Sequence, residues 1–227
     1  WTLGAVYSPS FIPGLSIQWD WIDIEITDAI SNLNGTVIAQ SCFDDEDYPN
    51  DFCGLLTRDS NMQLSFFEAG FLNAGFLNYA GWDLQVRMQV EVADIKFLEN
   101  IPGNFSINLN WSHIQEHSTQ STLSASRNPG EGEVSRQKDQ FNLTYRYSLD
   151  ALAVSWTTRY RSGGVFDNLN GPTATNFLNF GAWTNHNATI SYQINEDITA
   201  RLVVNNMFNQ KSPFGIARGG YDLLGRR

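Results

Sequence analysis

The chain has no run of about 18 apolar residues, so its sequence predicts no membrane-spanning helix. That absence leaves a membrane β-barrel open. Barrel strands alternate and keep the mean hydropathy low, as the value of −0.29 does here. Positive charge is scarce: 14 Lys and Arg against 24 Asp and Glu give a net charge of −10. A nucleic-acid surface needs a basic stripe, so no nucleic-acid partner is expected. Histidine is scarce too, and His113, His117 and His186 are scattered, whereas metal or acid–base work needs groups that converge. No Ser-His-Asp phrase, glycine-rich phosphate loop or paired-cysteine zinc spacing occurs. The reading is of a protein that is not an enzyme and needs no cofactor. No signal-peptide pattern stands at Trp1, and both ends read as internal to a longer chain.

What is plentiful is aromatic and alternating. Aromatics make up 13% and hydrophobic residues 42%, which excludes a disordered chain. A period of two places alternate residues on opposite faces of a sheet. Phe105, Ile107, Leu109 and Trp111 alternate with Ser106, Asn108, Asn110 and Ser112. Phe141, Leu143, Tyr145 and Tyr147 alternate with Asn142, Thr144 and Arg146. The same rhythm runs through Leu152–Arg161, Ala188–Ile194 and Ile198–Asn205, and through Trp82–Val90. Near the start, Trp1–Ser8 and Leu15–Asp28 read as strands. In the second of these the apolar phase flips between Trp21 and Ile22, which means a bulge or a passage into another environment.

About eight strands result. Short turns (9–14, 93–103, 148–151, 195–197) alternate with long polar loops (29–70, 117–135, 162–180). An outer-membrane barrel sorts its loops in this way, with short periplasmic turns and long extracellular loops. The apolar face would then meet lipid. The other face carries Arg87, Arg146, Arg159 and Arg201, each costing roughly 2–4 kcal/mol if it pointed into the membrane midplane. These arginines, with Asn108 and Asn110, are expected to face the lumen.

Three phrases resemble TonB-dependent outer-membrane receptors. The first is Val204-Asn-Asn-Met-Phe-Asn209, followed by Tyr221-Asp-Leu-Leu-Gly-Arg226, as at the C-terminal end of such receptors. The second runs from Trp1-Thr-Leu-Gly4 through Pro13-Gly-Leu-Ser16 to Asp28-Ala-Ile30, with Trp1 in place of the usual tyrosine. The third is Leu72-Asn-Ala-Gly75 with Tyr79-Ala-Gly-Trp-Asp83. The resemblance implies an all-β fold, an antiparallel meander of about eight long strands within a 22-stranded transmembrane barrel. It implies that residues 1–227 are one partial barrel domain, lacking the plug and the closing strand. It also implies a place in the outer membrane of a Gram-negative bacterium and uptake of a scarce large nutrient, such as a ferric siderophore, vitamin B12 or an oligosaccharide. The implied partners are outer-membrane lipid, a plug domain, TonB and that nutrient. A diffusion porin and a soluble β-rich binding or structural domain are the alternatives.

Similar receptors carry a loop ending in Asn-x-Phe-Cys, as Asn50-Asp-Phe-Cys53 does. In an oxidising compartment Cys42 and Cys53 are then expected to form a disulfide, the alternatives being free thiols or a metal site. The acidic residues Asp44, Asp45, Glu46, Asp47 and Asp51 between them read as a solvated loop, for they lack the spacing of a calcium loop. Phe66, Phe67, Phe71, Phe76, Tyr79 and Trp183 are loop aromatics that could stack on a ligand or pack at the membrane interface.

Overall fold

Strands are built wherever the alternation is clean. The computed structural model describes residues 1–95, 99–123, 125–134, 136–169, 178–211 and 213. Its elements are β1 (Thr2–Tyr7), β2 (Leu15–Leu33), α1 (Gly35–Phe43), β3 (Leu56–Arg58), β4 (Leu64–Phe67), β5 (Gly70–Glu91), β6 (Asn104–Gln120), β7 (Asn128–Pro129), β8 (Asp139–Leu149), β9 (Leu152–Arg161), β10 (Gly164–Val165), β11 (Asn179–Phe180), β12 (Trp183–Gln193) and β13 (Thr199–Val204). The main sheet has the order β1-β2-β5-β6-β8-β9-β12-β13, with β7 beside β6. Among the described residues this is an antiparallel meander of eight strands, as the alternation predicts. The phrase Tyr221–Arg226 lies outside the described residues.

The chain divides into two compact units. The first comprises Trp1–Ile22, Gly81–Gln115 and Gly132–Arg227. Its ladders are regular: Asn104–His113 pair with Ser148–Asp139, and Gln140–Leu149 pair with Arg161–Leu152. β12 pairs with β9 from Trp183 to Tyr192 and with β13 from Ala188 to Gln193. The short turns have clear local causes. Between Leu149 and Leu152, Asp150 takes φ +44°, the positive φ that a tight hairpin needs at its first turn residue. Between β12 and β13, Asn195 Oδ1 accepts from the backbone N–H groups of Asp197 (3.0 Å) and Ile198 (2.9 Å), an Asx turn. At 9–14, Gly14 has φ +77° and its carbonyl accepts from the Gln89 N–H at 3.0 Å, and a Cβ there would collide with the Gln89 backbone.

The apolar face of this sheet is left open. Ile190 is 44% exposed, Tyr192 52% and Leu202 60%. The described apolar residues that are buried in this unit, Val90, Val92, Phe180 and Trp183, are few. A water-soluble sheet buries its apolar face against a second layer. This face instead presents isoleucine, leucine and tyrosine outward.

The second unit comprises Asp23–Ala80 and Glu116–Glu131. Here the structure differs from the sequence reading, which left 31–67 without regular structure. β2 continues to Leu33, and Asn34 then caps α1, its Oδ1 accepting from Thr36 N and Val37 N at 3.0 Å each. A 3₁₀ turn at Asp51–Leu55 leads into the β3–β4 hairpin, whose tip is tied by Asp59 Oδ1 accepting from Asn61 N and Gln63 N. α1 buries Ile38, Ser41 and Cys42 on one face, and Ser41 Oγ meets Thr122 Oγ1 at 2.5 Å. Its apolar stripe is too short to register as a period. Likewise β6 runs on to Gln120, into a segment read as polar loop, where Ser118 and Thr119 pair with Pro129 and Asn128 of β7 and Gln120 Nε2 donates to Leu123 O and Ala125 O. The phase flip at Trp21–Ile22 has no bulge in the β1–β2 ladder, which is continuous from Ile17 to Ile22. It falls where β2 passes from the first unit into the second.

Candidate functional site

Register turns the polar half of each strand into rows. Asn110 faces Asn142, Asn142 faces Arg159, and Arg159 faces Asn185. Asn108 faces Thr144 and Thr144 faces Thr157, followed by Asn187. Ser106, Arg146, Ser155 and Thr189 form the next row, and Ala153, Ser191 and Arg201 lie beside it. Side-chain bonds within this face agree with the register: Asn110 Nδ2 donates to Asn108 Oδ1 at 2.8 Å, and the Thr144 and Thr157 hydroxyls meet at 3.1 Å. Arg87, on β5, donates to Gln85 at 3.2 Å. Arg146, Arg159 and Arg201 are exposed, and among the described residues none has an ion pair or hydrogen bond.

Two hollows indent the polar face. The larger, about 490 Å³, is lined by Gln140, Asn142, Thr144, Thr157, Arg159 and Arg161, with Phe141, Tyr160 and Trp183. It lies toward the long-loop ends of the strands. The smaller, about 210 Å³, is lined by Arg146, Ala153, Val154, Ser155, Thr189, Ser191 and Arg201, toward the short turns. Alternation brings the arginines to this face. It does not reveal that Arg159 and the pair Arg146 and Arg201 serve separate hollows, nor that Gln140 and Arg161 join the first.

The aromatic residues are distributed differently from the loop set read in the sequence. Phe66 and Phe67 stand on β4, and Phe76 and Tyr79, with Phe71, stand on β5. Phe71, Phe76 and Tyr79 belong to a strand because β5 begins at Gly70, ahead of the clean alternation from Trp82. Phe67 lines an apolar hollow of about 680 Å³ with Leu56, Leu64, Ala39 and the start of α1. Leu56 and Leu64 lie where no periodicity singles them out. Tyr79 meets His117 edge-on, 6.4 Å between ring centres. Trp183 is only 4% exposed, packed with Phe180, Val134 and Phe166.

The three histidines are held separately. His113 Nδ1 lies 2.8 Å from Asp139 Oδ1, with its ring stacked on Trp82. His186 Nδ1 lies 3.0 Å from Thr158 Oγ1, with Phe208 edge-on to its ring. Among the described residues no group of three or more His, Cys, Asp or Glu side chains could hold a metal ion. In the acidic loop, Asp45 Oδ1 accepts from Asp47 N at 3.0 Å. Cys42 and Cys53 are joined as a disulfide, with Cα atoms 4.9 Å apart. The Val204–Asn209 phrase closes the meander: Asn206, at φ +49°, accepts from Gln210 N and donates to Gln210 O, and Met207 N donates to His186 O.

A meander of long antiparallel strands, apolar on one face and polar and cationic on the other, has the pattern of a transmembrane barrel wall. The family described as TonB dependent receptor-like, beta-barrel, matches residues 1–207, and the chain belongs to it. This is a family of receptors and transporters, found in the outer membrane of Gram-negative bacteria. Comparison with curated proteins finds no match. Among solved structures, the chain is similar to the ferric-catecholate import receptor Fiu of K12 E. coli in its closed form. The TM-score is 0.37 and the identity 14%, over 97% of this chain and 32% of that one. The chain thus spans about a third of that receptor's length.

Proposed function

We propose that residues 1–227 are one barrel domain, part of the wall of an outer-membrane receptor. The receptor takes up a scarce large nutrient, such as a ferric siderophore, vitamin B12 or an oligosaccharide, with energy delivered through TonB. The observation that carries this is the pair of unlike faces: exposed Ile190, Tyr192 and Leu202 on one side, exposed Arg146, Arg159 and Arg201 on the other. Lipid suits the first face and a wet lumen holding a plug and a passing ligand suits the second. The hollow of about 490 Å³ around Arg159 is within the usual range for a ligand pocket. The aromatic pair Phe66 and Phe67, and further along Phe76 and Tyr79, are the residues offered for ligand contact on the long-loop side.

The test is uptake. Deleting the gene in its host should abolish accumulation of one labelled nutrient of these classes, and loss of TonB should do the same. Uptake that persists without TonB would overturn the energised reading.

Two further outcomes are expected. The protein should partition into detergent or lipid, because its apolar face is uncovered; a monodisperse monomer in plain buffer would contradict the membrane assignment. Peptide mapping without reductant should recover Cys42 and Cys53 in one linked fragment. Replacing both by serine should destabilise the 31–67 excursion by about 3 kcal/mol from loop closure alone, read as faster proteolysis between Asp44 and Asn50. Unchanged cleavage would assign no structural weight to the bond.

A further inference from the structure

The short-turn end of the polar face carries two positive charges that the described residues do not neutralise. Arg146 enters from β8 and Arg201 from β13, and both line the hollow of about 210 Å³. Between them lie β9 and β12, so the two backbones stand about 14 Å apart across the sheet. Asp150, Glu196 and Asp197 occupy the adjoining turns, yet neither arginine is paired with them. Two guanidinium groups over one hollow repel each other unless an anion sits between them.

The rest of the lining supplies further donors. Ser155, Thr189 and Ser191 place hydroxyl groups around the hollow. Ser191 Oγ is committed to Ala153 O at 3.4 Å, while the Ser155 and Thr189 hydroxyls have no partner among the described residues. Guanidinium forks and hydroxyl donors are a set that holds an oxyanion, a carboxylate or a phosphate. The volume falls below the range of about 300–1,000 Å³ usual for pockets that enclose a small-molecule ligand, so a large nutrient does not fit.

We propose that Arg146 and Arg201 form a seat for a single carboxylate, separate from the Arg159 hollow. The proposal rests on the reading that this face is the wet inner wall. The carboxylate comes from an acidic side chain of a polypeptide segment lying on that face, or from a small free carboxylate.

The experiment uses the natural protein, purified from outer membranes in detergent at low salt. Arg201→Lys keeps the charge and supplies an amine, which a carbodiimide joins to a touching carboxylate as an amide, releasing the corresponding urea. Heat-modifiable gel mobility checks that the variant is folded, and Arg146→Lys is the second amine. An amide to an aspartate or glutamate, found by peptide mapping, supports the seat and names its segment. Coupling only after citrate is added, at least about tenfold above that at exposed Lys211, supports a seat for a free carboxylate. Coupling no greater than at Lys211 in both variants and both conditions overturns it. Failure of the membrane reading is scored separately, by residues on the opposite faces of β6.

Discussion

Ile107→Arg should deprive the protein of its folded form in the outer membrane, while Asn108→Arg should leave it assembled. The two residues are neighbours on β6, and their side chains leave opposite faces of the strand. Ile107 stands in the row of Tyr145, Trp156 and Ala188, and Asn108 in the row of Thr144, Thr157 and Asn187. If the first row meets lipid, an arginine there costs roughly 2–4 kcal/mol near the midplane. The second row already lies on the face that holds Arg146 and Arg159, and another arginine adds only mild repulsion. The contrast should repeat for Leu143 against Thr144 and for Ile190 against Ser191. Ile190 is 44% exposed, so its replacement opens no cavity to confound the result. Heat-modifiable mobility of outer-membrane fractions measures the folded share. Equal tolerance at both members of all three pairs would mean that neither face sees lipid.

Trp183→Ala should have an effect of comparable size, confined to one end of the first unit. Trp183 is 4% exposed and packs with Phe180, Val134 and Phe166, in a small cluster with little else to hold it. Removing so large a buried ring costs about 3–5 kcal/mol. The ladder from Asn185 to Tyr192 has partners on β9 and should survive. What should loosen is the segment carrying Val134, Phe166 and Phe180, and with it one wall of the Arg159 hollow. Limited proteolysis should therefore cut around Val134 and between Ser162 and Leu169 many times faster, while β8 and β9 stay protected and heat-modifiable mobility persists. If cleavage there is unchanged, the cluster does not hold this segment in place.

The main-sheet strands, the short turns and the division into an apolar and a charged face were legible along the chain. Each depends on residues close in sequence: a period of two, an aspartate at a hairpin, an asparagine whose side chain closes its own turn. Ile107 and Asn108 could be assigned to opposite faces without knowing any partner strand. The family phrases at Trp1–Ile30 and Val204–Asn209 were legible for the same reason: Asn206, for one, bonds Asn187 on the preceding strand and Gln210 in the turn after it. The excursion at 31–67 was not legible. α1 is held by an asparagine cap, a disulfide and a buried Ser41–Thr122 contact to a distant segment, none of which leaves a hydrophobic period. Nor could alternation sort the arginines into two hollows. That depends on the register of β8 on β9, of β9 on β12 and of β12 on β13, which fixes the neighbours of each side chain across the sheet. Trp183 is the sharpest case. In sequence it is one more aromatic at a loop end. Only the packing of Phe166 and Phe180, brought back by the pairing of β10 with β11, makes it the centre of a core.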